Sequence, residues 1–598
     1  MRTIYQSILL IGLSAASLTL NAQTAAKDTV LNKQVILQRE YSPTINEASR
    51  INSNPSIFEP NVQKKSLNFE QKAPQLLINN NRLGDSRAGE IMTDVEYSKK
   101  RGYAQIAAGN YANIDGALGY RIVNSKRDRL NLFGSYDATS GKLSYAESMY
   151  YKRMKAKYSD INVNLNYQHT FDPSILSIEA LYRDLGYNYY GNPFISNEQL
   201  DNLDNLPNFD KKQNVSVIGF AAALKSRDES KPALNYDGKI SYRSFKSKYG
   251  THPELDGQKG GQLNVQLDLN TEFDSEKWLG IDMYVMNQSL SNALNDDNML
   301  HVYGVPYIRF EGSNWKAKLG AKAGFITDYK NSFIVAPDLY ASVKLGEFNS
   351  LYASVTGGIN ENTFLQVLEE NRYVNPLNRI GYSRTVYDAE LGVNIGAFAG
   401  VEFDIFAGYK QTNRDHLYIT NAPFSGNSNN PTLDAIYAWG NVSDAVYANL
   451  SRGKVGALFK TNLIPQTNLW ARAIVYASNV KYKGGNLKNF VEEAPAKKEA
   501  WGLPTATAEL HADVKDVILP NLTLSMDYTL ELGRKAYFGG RSISMKNVNE
   551  LNFRADYRVM DWISINARVN NVFSQKYERV YGYTHQGINF MGGLNLKF

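Results

Sequence analysis

Ile588-Asn589-Phe590-Met591-Gly592-Gly593-Leu594-Asn595-Leu596-Lys597-Phe598, the end of the 598-residue chain, alternates without a slip. Ile588, Phe590, Gly592, Leu594, Leu596 and Phe598 fall on one face of an extended strand, and Asn589, Met591, Gly593, Asn595 and Lys597 on the other. A strand with one apolar and one wet face suits a transmembrane barrel. There, lipid-facing and lumen-facing side chains alternate and every backbone group pairs within a closed sheet. The pattern predicts an all-β fold, a transmembrane antiparallel β-barrel whose terminal Phe598 acts as an assembly signal.

The other end of the chain agrees. Met1 and Arg2 give a basic start, the stretch from Ile8 to Leu20 is apolar apart from Gly, Ser and Thr, and Leu20-Asn21-Ala22 precedes Gln23. This order reads as a signal peptide over residues 1–22 and places the mature start near Gln23. The chain has no cysteine, which excludes a lipoprotein anchor and a disulfide scaffold.

Composition narrows the class further. After the signal there is no run of about 18 apolar residues, so helical spans are not expected. Yet the chain carries 40 Tyr, 25 Phe and 6 Trp, a supply suited to the aromatic girdles of a barrel at both membrane interfaces. The net charge of +6 comes without a basic cluster, and nucleic acid is not an expected partner.

Period-2 counting identifies further strands. Leu522, Leu524, Met526, Tyr528, Leu530 and Leu532 alternate with Thr523, Ser525, Asp527, Thr529 and Glu531. Ile161 to Gln168 and Leu263 to Asn270 behave the same way. Walking back from Phe598, long connections at 571–587, 533–547 and 479–503 alternate with short ones at 559–562, 514–520 and 464–467. Short turns of such barrels face the periplasm and long loops the outside, so the chain ends in the periplasm. Further external loops fall near 410–443, 358–384, 246–261, 185–212 and 139–156. The count is about 22 strands, which predicts a barrel over 102–598 preceded by a short irregular N-terminal segment, 23–101, that is periplasmic or lines the lumen.

Asn570-Asn571-Val572-Phe573, Lys576-Tyr577-Glu578, Gly582-Tyr583 and the strand to Phe598 resemble the closing hairpin of TonB-dependent outer-membrane receptors. The resemblance is sharp over about 30 residues and architectural over the rest, since such a strand count gives a barrel of that size. It implies energised uptake of a scarce external ligand through a barrel blocked by a folded plug. Residues 23–101 depart from that pattern. With Pro43, Pro55, Pro60, Pro74 and Asn79-Asn80-Asn81, the segment is too short and irregular for a full plug. Asp28-Thr29-Val30 and the alternation of Val35 and Leu37 with Gln34 and Gln38 suit a docking strand for a periplasmic energy-coupling protein. They equally suit an extended tether at the barrel mouth.

A barrel this wide is not filled by its own wall. The sequence leaves four occupants open: the N-terminal segment, inward-folded external loops, a partner, or a flattened cross-section. Arg39, Glu40, Glu47 and Arg50 have the charges to meet lumen-facing Arg554, Asp556, Arg568, Asp527 and Glu531.

Catalytic chemistry is sparse. His169, His252, His301, His416, His511 and His585 show no metal-ligand spacing. Glu509, His511 and Asp513 line one face, with Asp527 beside them, and read as a plain lumen network; His511→Ala is then expected to be tolerated. No catalytic residue, metal or cofactor is assigned, and an enzyme is not expected. Loop aromatics are better candidates, because binding residues concentrate on loops held by rigid scaffolds. Tyr187, Tyr189, Tyr190 and Phe194, interleaved with Asn188 and Asn192, can stack on a ligand, and Tyr418 lies on another loop. The same aromatics also read as the upper girdle.

Expected partners are outer-membrane lipid and lipopolysaccharide, the barrel-assembly machinery, and an energy-coupling protein or surface lipoprotein. Two functions remain: uptake or binding of an external ligand, or a plugless structural or assembly scaffold barrel in an outer-membrane complex.

Overall fold

A computed structural model describes residues 100–146, 153–191, 212–227, 234–250, 256–292, 297–328, 331–346, 348–377, 380–398, 400–420, 442–482, 499–538 and 541–598. The signal peptide, nearly all of the segment 23–101, Phe194 and His252 lie outside these residues. The strands are β1 (Gly102–Gly109), β2 (Ile114–Asn124), β3 (Asp128–Ser144), β4 (Arg153–Thr170), β5 (Ser174–Tyr187), β6 (Gln213–Ser226), β7 (Asn235–Ser247), β8 (Lys259–Asp274) and β9 (Lys277–Ser291). There follow β10 (Asp297–Glu311), β11 (Trp315–Thr327), β12 (Ser332–Leu345), β13 (Asn349–Asn360), a helix α1 (Phe364–Glu370), β14 (Ser383–Phe398), β15 (Val401–Thr420), β16 (Ser443–Thr461), β17 (Thr467–Tyr482), β18 (Ala506–Lys515) and β19 (Leu522–Leu532). The chain ends with β20 (Lys535–Phe538), β21 (Arg541–Ser544), β22 (Val548–Met560), β23 (Ile563–Asn570), β24 (Glu578–Val580), β25 (Tyr583–Thr584) and β26 (Asn589–Lys597).

Each of β1 to β19 pairs antiparallel with its neighbour, β19 continues to β22, β23 and β26, and β26 returns to β1. Twenty-two strands thus make a closed ring, and the hairpin β20–β21 joins its rim through one bridge, Thr420 to Phe538. Closure runs to the last residue. The Phe598 N–H donates to the Gly102 carbonyl at 2.9 Å and Gly102 returns the bond at 2.7 Å, while the Phe598 ring stacks near Tyr120. No helix among the described residues is long and apolar enough to cross a membrane. The bilayer is crossed by strands, which satisfy their backbone groups between themselves.

The faces follow the alternation. Phe590, Leu594, Ile106, Ile565, Phe553 and Tyr557 stand outward and exposed, as lipid-facing side chains do, whereas Asn589, Asn566, Arg568, Asp556 and Ser525 are buried inward. Many lumen charges pair with one another, within one strand or between nearby strands. Lys454 meets Glu390 at 2.5 Å, Arg472 meets Glu509 at 2.5 Å and Lys318 meets Asp338 at 3.0 Å. Several acids and bases offered above as partners for residues 39–50 are engaged the same way: Arg554 with Asp556, and Arg568 with Asp115.

Strands run farther than the apolar alternation suggests. β15 continues to Thr420, where 410–443 reads as loop from sequence. A register shift between Thr412 and Asp415, with Arg414 at a φ of 55°, reverses the faces of the strand. Leu417 and Ile419, odd-numbered like the outward Phe403 and Ile405 below the bulge, are buried at 4% and 3% exposure. They face packed protein instead of lipid.

Candidate functional site

Two of the external connections turn inward and meet lumen-facing residues of the wall. The link between β13 and β14, described over 361–377 and 380–382, forms a strap. Its short helix α1 is set by a capping box: the Thr363 side chain accepts from the Gln366 N–H, and the Gln366 side chain accepts from the Thr363 N–H at 2.8 Å. Asn362, at a φ of 54°, turns the chain inward. Its side-chain amide donates to the Gly381 carbonyl at 2.9 Å and the Ser383 hydroxyl at 2.8 Å, holding the strap's two ends together.

Three strap acids reach three parts of the wall. Glu361 meets the His301 Nδ1 of β10 at 2.6 Å. Glu369 meets Arg183 of β5, whose guanidinium also grips Asp160 of β4 at 2.9 and 3.0 Å. Glu370 meets the His416 Nε2 of β15 at 2.6 Å and accepts from the Tyr418 hydroxyl at 2.6 Å. Burial raises the Glu370 carboxyl, but the His416 charge and the two hydrogen bonds outweigh it, and the group lies below its ordinary value.

The walls gripped by Glu369 and Glu370 lie ten strands apart in the ring. A circular barrel of this strand number, with strands about 4.8 Å apart and tilted by about 40°, is roughly 44 Å across. Side chains from two adjacent residues cannot span that width. The walls of β5 and β15 therefore stand closer together at this level than in a circular barrel.

The last external connection, between β23 and β26, also folds in. Tyr577 donates to Glu550 of β22, and Arg579 meets Glu531 of β19 at 3.2 Å. The Gln586 amide donates to Asn113 at 3.1 Å and Thr139 at 2.8 Å on the far side of the closing seam. Tyr577 and Tyr583, part of the receptor-like motif, are thus residues of an inward turn.

Strap and final loop meet in a tyrosine cluster. Tyr373 of the strap stacks on Tyr583 with ring centres 3.4 Å apart, and Tyr190 sits edge-on to Tyr583 at 5.0 Å. Tyr187 and Tyr189 complete the contact, and Tyr190 donates to the Thr584 carbonyl at 3.0 Å. A single apolar cluster runs from Leu143 through Tyr158, Val215, Phe245 and Leu290 to Tyr373 and Val442. Beneath α1 a cavity remains, lined by Gln288, Leu290, Phe364 and Asn371, and the buried Asn371 amide has a donor without a partner.

The structure thus brings Tyr187, Tyr189, Tyr190 and Tyr418 together around the strap, buried on the lumen side instead of exposed at the outer surface. Sequence reasoning missed Glu361, Glu369 and Glu370, whose partners lie 60, 186 and 46 positions away. The capping-box spacing of Thr363 and Gln366 is the one local signal that marks an ordered element there. In the lower lumen, the His511 Nδ1 faces Asp527 at 2.7 Å and its Nε2 faces Asp513 at 3.0 Å, while Glu509 turns to Arg472. Both ring nitrogens are engaged by carboxylates, which makes the imidazole a tie between two acids. Among the described residues no group of three His, Asp or Glu is placed to hold a metal.

No protein-family model and no curated protein matches the sequence. Solved structures do. A mutant of the ferric enterobactin receptor PfeA from Pseudomonas aeruginosa aligns with a TM-score of 0.61 at 12% identity, over 84% of this chain and 80% of that one. The FrpB iron transporter from Neisseria meningitidis gives 0.62 at 9% identity, over 84% and 83%. The pyoverdine receptor FpvA from Pseudomonas aeruginosa, bound to pyoverdine, gives 0.57 at 13% identity, over 83% and 78%. The chain is an outer-membrane β-barrel with the fold of the TonB-dependent receptors that its closing hairpin resembles.

Proposed function

We propose that this barrel takes up a ligand from outside the cell, with the tyrosine cluster and strap at the inner end of the external entrance. The observation that carries the proposal is the pairing of a receptor-type barrel with an outer lumen crossed by ordered connections. A wide barrel crossed by its own loops suits controlled passage better than free diffusion. The barrel supplies the path and the inward loops supply selectivity, through aromatic faces for stacking and amides for hydrogen bonding. Tyr187, Tyr189, Tyr190 and Tyr418 are then positioned to meet a ligand once the loops separate. Ferric chelates are the first class to test, because similar structures bear those names.

The test is growth of a strain lacking the protein on single limiting sources of chelated iron and other large nutrients. A defect on one source, restored by the intact chain, supports uptake. Normal growth on all of them, with co-purification of a fixed set of envelope proteins, supports the scaffold barrel instead.

A further inference from the structure

We propose that the strap's described stretch 361–377, with its helix α1, is a displaceable outer gate, latched to opposite walls of the barrel by the adjacent acids Glu369 and Glu370. The proposal deepens the uptake reading and rests on it. Three features of the strap point to movement. Its ends converge at Asn362, so it leaves and rejoins the wall at one place. Its far side is held by side chains: Glu361 to His301, Glu369 to Arg183, Glu370 to His416 and Tyr418, the Phe364 ring on Phe245, and the Arg372 guanidinium over Tyr158. Among the described residues, backbone pairing of the strap with the wall is confined to Tyr373, Val374 and Asn375 with Ser443. The cavity under α1 leaves that face incompletely packed.

The chemistry of the latch suits a reversible contact. Burying acid–base pairs stabilises a fixed core no better than apolar packing of the same volume does. Separated into a wet lumen, however, each charge regains its hydration, so the latch pairs add less to the cost of lifting than the buried Val367, Tyr373 and Val374 do. Arg183 retains Asp160 as a partner when Glu369 departs, so release strands no cation on the β5 side. A strap held this way stays down without a ligand and lifts when a ligand competes for its contacts.

The absence of native cysteine makes the test clean. Leu290, buried under the strap at 5% exposure, becomes the only thiol in Leu290→Cys. Whole cells are treated with a membrane-impermeant maleimide in three backgrounds: the otherwise native chain, Glu369→Gln/Glu370→Gln, and Glu509→Gln, which breaks a wall pair away from the strap. The latch variant is expected to label roughly tenfold faster than the native background or more, the scale of losing charged hydrogen bonds, and Glu509→Gln at the native rate. Heat-modifiable gel migration confirms assembly of each, and the single Glu369→Gln and Glu370→Gln variants carry the test if the double variant does not assemble. Equal rates in latch and native backgrounds, or an equal rise in Glu509→Gln, overturn the gate. Labelling needs no cargo, so a latch that opens in a strain with no uptake defect refutes the uptake reading and leaves the gate standing.

Discussion

Gly592 and Gly593 are neighbours on the closing strand with opposite surroundings. A Cβ at Gly592 meets nothing within 4 Å, on the face turned to lipid. At Gly593 it lies 2.7 Å from the Ala107 Cβ and against the Ile106 carbonyl. Gly593 pairs with Ala107 of β1 and Asn566 of β23, so a side chain there wedges the seam where the barrel closes. Overpacking alone costs about 1–3 kcal/mol. Pushing β26 away from β1 also breaks backbone hydrogen bonds in the bilayer, where no water replaces them, at several kcal/mol for each unsatisfied group. Gly593→Leu therefore loses at least about 3 kcal/mol, a factor above about 100 in the folded population. Gly592→Leu places an aliphatic chain in lipid and relieves a strand glycine, which is neutral or stabilising by about 0.5–1 kcal/mol. The assay is refolding into lipid vesicles across a urea series, with the folded fraction read from unboiled gel migration. Equal midpoints for the two variants, or the reverse order, would refute the inside and outside faces assigned to β26.

Leu594 stands in register between Ile106 and Ile565, and at about 3.4 Å per residue and about 40° of tilt it lies about 10 Å into the roughly 25 Å apolar band. Leu594→Arg is expected to cost about 2–4 kcal/mol, seen as a lower urea midpoint and reduced membrane levels; native levels would contradict its placement. His511→Ala, tolerated on the sequence reading, leaves Asp513 and Asp527 without the ring between them. It is expected to lose about 1–3 kcal/mol, and His511→Lys less, in the same urea series; an unchanged alanine variant would remove the tie. Glu370 lies below its ordinary value of about 4.3 and its partner His416 above the ordinary imidazole range, so the contact is complete between the two values, fades on the acid side as pH falls through the lowered Glu370 value, and weakens on the alkaline side as His416 loses its proton. Bilayer recordings should show openings rising on that acid side for the native chain, with no such transition in Glu370→Gln.

The barrel was legible because its constraint is local. Alternation from Ile588 to Phe598 fixes which side chains meet lipid, and that strand pairs with Gly102–Gly109 to close the ring. The short turns between β16 and β17, β18 and β19, and β22 and β23 stand where the sequence places them, near 464–467, 514–520 and 559–562. The upper strands were misread as loop for a physical reason. Above the membrane, apolar residues such as Leu417, Ile419 and Leu290 turn inward onto packed connections, and the bulge in β15 shifts the phase that alternation relies on. Of the four occupants that the width of the lumen demands, the described residues show inward external loops and a local approach of opposite walls. The latch itself was illegible, since Arg183 and Glu369 are neighbours only once the ring has closed, and nothing in their flanking residues marks the pair.

The most direct test locks the strap. Val374 and Ser443 are bridge partners between the strap and β16, within the backbone separation of about 4.4–6.8 Å that a disulfide spans, and no native thiol competes. A null strain carrying Val374→Cys/Ser443→Cys is grown on the nutrient source that the null strain fails to use. Oxidised, the variant is predicted to fail as the null strain does, and a mild reductant should restore growth. Full growth of the oxidised variant, with the disulfide confirmed on the purified protein, would contradict passage of the ligand past this strap.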